Sequence, residues 1–114
     1  MEPFVVVIAT LPDRASARTL AEALVRERLA ACVNVMSECT SIYRWQGAVE
    51  TAAEVPLWIK TRAALFPSIA QFIKDHHPYD LPEVIALPLT AGLAPYLEWV
   101  ERETERGQRN LEQP

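Results

Sequence analysis

The chain has 114 residues, of which half are apolar and 23% are charged, and its net charge at neutral pH is −4. This length makes one ordinary domain, and the composition excludes a disordered chain. The 11 basic residues are scattered singly, which argues against a nucleic-acid partner, because such proteins cluster their positive charge. No apolar run approaches the ~20 residues that span a bilayer, and no signal peptide is visible. We therefore expect a cytoplasmic protein with no membrane partner, whose two cysteines are reduced.

The first elements follow from two changes in apolar spacing. Residues 4–11 form a continuous, β-branched run that Pro12 stops, which predicts a central strand buried on both faces. Asp13 is a plausible N-cap, and apolar residues then recur at helical spacing, which predicts a helix over about 13–29.

A long hairpin is predicted next. The apolar period falls to two over residues 31–45 and again over 49–61, and Gln46-Gly47 between them is a turn signal. Arms of ~14 residues reach about 46 Å, whereas a sphere of this mass is about 34 Å across. The hairpin must therefore bend or project. The polar stretch 37–41 could hold a bulge, and Pro56, which cannot donate to a ladder, marks a sheet edge or a second bulge.

The second half repeats the strand and helix pattern. We expect a helix over about 65–76, a strand over 83–89 and a last helix from Pro95. The order β-α-β-β-α-β plus a terminal helix indicates an α+β, ferredoxin-like split βαβ fold. We assign a single domain to residues 1–106 and a loose tail to 107–114. Helices on one side would leave the other sheet face uncovered, which favours an oligomer.

The two cysteines are not expected to form a disulfide. Cys32 and Cys39 are seven residues apart on one predicted arm, about 23 Å if it is straight, whereas a disulfide needs Cα atoms within about 7 Å. An odd spacing also puts them on opposite faces unless a bulge intervenes. We expect Cys32 to be a small buried residue, and Cys39, among polar neighbours, to be the more reactive thiol.

His76 and His77 are the only histidines, and they are consecutive at a predicted helix end. Imidazole binds copper, nickel and zinc at neutral pH, so the pair is a candidate metal site. The alternative is a helix stop, in which the imidazoles interact with the helix dipole. A tight site would need further ligands, with Asp80, Glu83 or a residue of a second subunit as candidates.

A polar cleft on the hairpin is a second candidate site. A two-residue turn at 46–47 places Tyr43 opposite Glu50 and Cys39 opposite Glu54, and Lys60 has the same parity as both glutamates. The same residues could equally form cross-strand salt pairs. The sequence has no Gly-rich phosphate loop, no credible Ser-His-acid triad and no zinc-protease motif, so we do not expect an enzyme.

Motifs along nearly the whole chain, from about residue 4 to 103, resemble the CutA divalent-cation-tolerance family. These motifs are Leu29–Val35, Ser41–Gly47, Ile59–Thr61, His77–Tyr79, Leu81–Glu83, Leu87-Pro88, Gly92 and Tyr96–Trp99. The resemblance implies a tight homotrimer of ferredoxin-like subunits that exchange their long hairpins, as in PII signal-transduction proteins.

The resemblance also implies a cytoplasmic protein that binds copper and responds to divalent metal ions. In some members a first-strand Cys joins the two His as the proposed metal site; here Ala9 stands at that position, so His76 and His77 should bind copper or another divalent cation weakly. The alternative is a trimeric regulatory or scaffold module that binds a small effector or a partner in the cleft between subunits. The residues expected in that cleft are Tyr43, Trp45, Glu50, Lys60, Tyr79 and Glu83.

Overall fold

The computed structural model describes residues 3–105, which form five strands, three helices and a short 3-10 turn. The predicted tail at 107–114 lies outside these residues. In chain order the elements are β1 (Phe4–Leu11), α1 (Arg14–Arg26), β2 (Cys32–Val35), β3 (Cys39–Trp45), β4 (Ala48–Arg62), the 3-10 turn (Ala63–Leu65), α2 (Phe66–His76), β5 (Val84–Leu89) and α3 (Ala94–Glu103). The three helices and the strands β1, β4 and β5 each begin within one residue of the predicted start, whereas the predicted arm over 31–45 is divided between β2 and β3.

The strands form one antiparallel sheet in the order β2-β4-β1-β5, with β3 continuing the pairing of β2 along β4. The predicted ferredoxin-like α+β fold is therefore confirmed. Alternate residues of β1 and β4, such as Val7 and Ile59, face α1 and α2 and are fully buried with Leu24 and Ile73. This layer is the main hydrophobic core of the chain.

Helix α1 starts and stops at local signals. The carboxylate of Asp13 accepts a hydrogen bond from the backbone N–H of Ser16 at 2.8 Å and caps the first turn. The helix ends at Arg26, earlier than the predicted residue 29, because Arg28 adopts a left-handed φ of 59°. The backbone N–H of Leu29 then donates to the carbonyl oxygen of Leu24 at 3.0 Å, which closes the helix end.

The opposite face of the sheet is only partly covered. Helix α3 packs Leu97 and Val100 against Phe4 at one end of that face. Elsewhere large apolar side chains remain exposed, including Trp58 at 41% and Leu87 at 47%. The predicted open face therefore exists within a single chain, and α3 shields one end of it.

The hairpin projects beyond the four-stranded sheet. Pairing between β1 and β4 stops at Leu11 and Val55, while β3 and β4 continue together to a turn at residues 46–47. Gln46 and Gly47 both have positive φ, 49° and 84°, as a type I′ turn requires. Tyr43 consequently faces Glu50, the register that the sequence predicted. The projection stretches the chain to 50 Å in its longest dimension.

A break at residues 36–38 divides the first arm of this hairpin into β2 and β3, and it overlaps the polar stretch 37–41 where a bulge was expected. Pro56 lies opposite this break. The edge interpretation of Pro56 is wrong, because β4 is a central strand with β1 on its other side. The carbonyl oxygen of Pro56 accepts from the backbone N–H of Met36 at 2.9 Å. Because the nitrogen and the carbonyl of one strand residue lie on the same edge of the strand, the nitrogen of Pro56, which has no hydrogen to donate, also faces the break.

The break also changes the relation between the two cysteines. Cys32 pairs with Lys60 and Cys39 with Glu54. Seven residues on one arm thus span six on β4, which puts both thiols on one face rather than on opposite faces. Both are free thiols; Cys32 is half-buried rather than buried, and Cys39 is exposed.

Candidate functional site

The two consecutive histidines at the end of α2 have different roles. The ring of His77 is hydrogen-bonded through both nitrogens: Nε2 donates to the carbonyl oxygen of Thr10 at 2.6 Å, and Nδ1 accepts from the backbone N–H of Tyr79 at 3.0 Å. These partners fix the neutral tautomer with its proton on Nε2. His77 therefore ties the loop after α2 to the end of β1.

His76 points to solvent from the last turn of α2. Its Nδ1 donates to the carbonyl oxygen of Phe72 at 2.7 Å, and its ring stacks on the Phe72 ring with centroids 4.2 Å apart. Since Nδ1 carries the proton, Nε2 presents a lone pair outward. Metal-binding histidines commonly donate their other ring N–H to a carbonyl oxygen in this way, which orients the ring.

The surroundings of the histidine pair contribute little else to a metal site. Within residues 3–105, no group of three or more His, Cys, Asp and Glu side chains is arranged to hold a metal ion. Ala9 is fully buried in the core and offers no ligand atom. His77 would have to give up a hydrogen bond to bind a metal, so each chain offers one ready imidazole nitrogen, that of His76.

A groove of about 880 Å³ lies between the projecting hairpin and the loop that leads from α2 into β5. Its walls come from β3 on one side, from residues 79–85 on the other, and from the end of β1. The lining side chains that carry polar or aromatic groups are Thr10, Ser41, Tyr43, Trp45, Glu54, Tyr79, Asp80 and Glu83.

Four of the six predicted cleft residues meet in this groove: Tyr43, Trp45, Tyr79 and Glu83. Glu50 is exposed nearer the hairpin tip and does not line it. Lys60 lies at the other end of β4, where its ammonium group donates to the side-chain oxygen of Asn34. In a single chain the predicted set is thus divided among three places: the groove, the hairpin nearer its tip, and the other end of β4.

Two acidic residues of the groove are not among the residues expected in the cleft between subunits. The sequence placed Glu54 only in the candidate polar cleft on the hairpin, and Asp80 only among the possible metal ligands. The structure buries Glu54, which is 8% exposed, under the loop at 79–83. The alternation of β4 gives the face on which Glu54 lies, but no pattern along β4 reveals that a distant loop covers it.

Burial and the carboxylate of Glu54 together determine the electrostatics of the groove. Burial, together with the charge and the hydrogen-bonding contact of the Glu54 carboxylate, raises the pKa of Tyr79. Partial burial and the charge of Glu54 raise the pKa of the Glu83 carboxyl as well. Both raised pKa values show that the surroundings of these two groups disfavour a further negative charge in the groove.

The fold defines the class of this protein, and its similarity to known proteins defines the family. The antiparallel sheet with two helices on one face defines a ferredoxin-like α+β protein. The profile of the CutA1 divalent ion tolerance protein family matches residues 5–103. The chain belongs to this family, as its sequence motifs predicted.

Individual relatives agree in sequence and in fold. The "Divalent-cation tolerance protein CutA" of Thermus thermophilus is 48% identical over 99 residues, which cover 87% of this chain and 96% of that protein. "Protein CutA" of Mus musculus is 47% identical over 84% of this chain, which spans only 54% of the mouse protein. The crystal structure of CutA1 from Oryza sativa superimposes with a TM-score of 0.88 at 43% identity and covers 91% of this chain and 95% of the rice chain.

None of the helices within residues 3–105 is long and apolar enough to cross a membrane.

Proposed function

We propose that this chain serves divalent-cation tolerance as a cytoplasmic, non-catalytic homotrimer that binds copper(II) or another divalent ion weakly. The observation that carries the metal-binding part is the geometry of His76. Its ring is oriented by the bond from Nδ1 to the Phe72 carbonyl oxygen, and Nε2 is free and exposed. Copper(II) accepts imidazole nitrogen together with oxygen ligands.

The hydrogen bonds of the two histidines give them different expected roles. His76 is the ligand in this proposal, and His77 positions the loop. One imidazole per chain gives weak binding by itself, and neighbouring subunits would supply the remaining ligands. Protons compete for Nε2, so metal binding should weaken in acid.

Copper(II) titration of chelator-stripped protein by calorimetry tests this proposal. At about pH 7.5 we expect His76→Ala to weaken copper binding about tenfold or more, and His77→Ala to weaken it at most about twofold; binding to the unsubstituted chain should fade at about pH 5.5. Equal isotherms for the unsubstituted chain and His76→Ala would contradict the proposal. The far-UV circular dichroism of both variants controls for folding.

The groove supports a second candidate function, that of a regulatory or scaffold module for a small effector. Tyr43, Trp45, Tyr79 and Glu83 converge on a concave space of about 880 Å³, which is the size of an ordinary small-molecule site. In this proposal the effector site adjoins the open sheet face, since Ile85 of that face also lines the groove. Binding there does not require His76.

A further inference from the structure

The charges that line the groove are all of one sign. Glu54, Asp80 and Glu83 contribute carboxylates, and no lysine or arginine lines it among the described residues. A phosphate, carboxylate or nucleotide ligand would meet repulsion there. The groove is therefore suited to a neutral or a positively charged ligand.

The burial of Glu54 favours a positively charged ligand over a neutral one. Its side chain is more than nine-tenths buried in the wall of the groove, and it forms no ion pair with any residue that the structure describes. The hydroxyl of Tyr79 hydrogen-bonds to it, and the other side chain whose charge interacts with it in the groove is the carboxyl of Glu83, which is also acidic. A buried carboxylate is costly unless a cation compensates it. This site lacks such a cation within the chain.

The aromatic side chains of the groove indicate what kind of cation fits. Tyr43, Trp45 and Tyr79 line it and are 43%, 45% and 36% exposed, so their rings are accessible. Aromatic faces attract organic ammonium groups through the ring quadrupole, and a nearby carboxylate adds charge. A bare metal ion fits less well, because no group of three metal-ligating side chains is found within residues 3–105.

We propose that this groove binds an organic ammonium ion, with the buried Glu54 as its charge partner and Tyr43, Trp45 and Tyr79 as its walls. The inference rests on the second candidate function, the small-effector module, and it supplies the chemical class of the effector. It is independent of copper binding at His76.

Three probes of nearly equal shape test the class of ligand. Choline carries a quaternary ammonium group, 3,3-dimethylbutan-1-ol is its neutral isostere, and 3,3-dimethylbutyrate is an anion of similar bulk. Each is titrated into the 114-residue chain at constant ionic strength while the indole N–H signal of Trp45, assigned with Trp45→Phe, is followed by NMR. We expect choline to saturate the signal with a dissociation constant on the order of a millimolar, and the other two to bind at least about tenfold more weakly.

Matched variants assign the effect to Glu54. Glu54→Gln keeps the shape and removes the charge, and we expect it to weaken choline binding about tenfold. Glu38→Gln removes the same charge from the hairpin at an exposed position outside the groove, so it should leave choline binding unchanged. A preserved NMR spectrum shows that each variant is folded.

The contrary outcomes separate the inference from the function on which it rests. If the alcohol or the anion binds as tightly as choline, or if Glu54→Gln binds choline as well as the unsubstituted chain, the ammonium inference is wrong but the small-effector function stands. If no probe binds, the ammonium inference is wrong. If a second copy of the chain fills the groove in the assembled protein and blocks all three probes, the small-effector function is wrong as well.

Discussion

The two faces of the sheet are built from the same strands and differ in what covers them. The face toward α1 and α2 is closed within one chain, and Leu57 on it is fully buried. On the other face, Leu87 of β5 and Trp58 of β4 remain about half exposed, although each is as apolar as its counterparts on the closed face. A face that one chain closes gives stability to that chain, whereas a face that it leaves open favours association.

The largest expected effect contrasts one leucine from each face. Leu57→Ala should lower the free energy of unfolding by about 2–5 kcal/mol, because it leaves a cavity in the core. Leu87→Ala is the matched change on the open face. Its cost should be smaller and should depend on protein concentration, since the proposed association would bury Leu87. Urea unfolding at two protein concentrations measures both. Equal, concentration-independent losses would contradict the distinction between the faces.

The histidines give the next contrast, between the half-buried His77, which bonds to β1, and the exposed His76 at the end of α2. His77→Ala removes the hydrogen bond that joins the loop at 77–80 to β1 and a second bond, from the backbone N–H of Tyr79, within that loop. We expect a loss of about 1–3 kcal/mol in unfolding free energy. His76→Ala removes one exposed bond, so its loss should be about 1 kcal/mol or less. The order should be the reverse of that for copper binding. A larger stability loss for His76→Ala would refute the assignment of roles.

The hairpin turn should respond to backbone conformation alone. Gly47 has a φ of +84°, and an added Cβ would meet no atom within 4 Å. Gly47→Ala should therefore cost about 1 kcal/mol in unfolding free energy through left-handed strain rather than through a clash. Gln46→Gly relieves the same strain at a φ of 49° and should be neutral or slightly stabilising. A loss for Gln46→Gly as large as that for Gly47→Ala would mean that the Gln46 side chain matters.

The smallest effect concerns pH. The pKa of Glu83 is raised above its ordinary value of 4.5 in the fold, so the protonated form is favoured: this contribution to stability is present below the ordinary value and is lost as pH rises through the raised one. At neutral pH the ionised carboxylate therefore opposes folding. Glu83→Gln should stabilise the chain by roughly 0.5 kcal/mol or less at neutral pH, because solvent screens a rim position. Unfolding of both chains at neutral pH and below the ordinary value measures it, and destabilisation at neutral pH would contradict the sign.

The features that the sequence predicted are those that neighbouring residues determine. The Gln46-Gly47 turn fixes the register of β3 on β4, so the pairs Tyr43–Glu50 and Cys39–Glu54 followed from the turn alone. The apolar run of β1 and the helical spacing of α1 likewise identified the core face. The open face was also predicted, because helices that pack on one side of a four-stranded sheet leave its other side uncovered.

The features that the sequence did not predict arise from contacts between distant residues. Glu54 is buried because a loop about 25 residues later in the chain covers it, and His77 bonds to a carbonyl oxygen 67 residues earlier. The central position of Pro56 depends on a break in a partner strand, which alternation along β4 does not reveal. The candidate groove is therefore only partly predictable from local patterns. Alternation along the hairpin placed Tyr43 in a cleft, whereas Trp45 and Tyr79 were assigned to it with the family resemblance.

The mass of the protein in solution tests most directly the claim that the open face is an association surface. Light scattering on a size-exclusion column at micromolar concentration should give about three times the chain mass of 12.8 kDa. Substitution of the exposed Trp58 by Glu, which places a charge in the middle of that face, should shift the mass toward that of one chain. A mass of 12.8 kDa for the unsubstituted protein would contradict the account, since the exposed apolar face would then be stable in water without a partner.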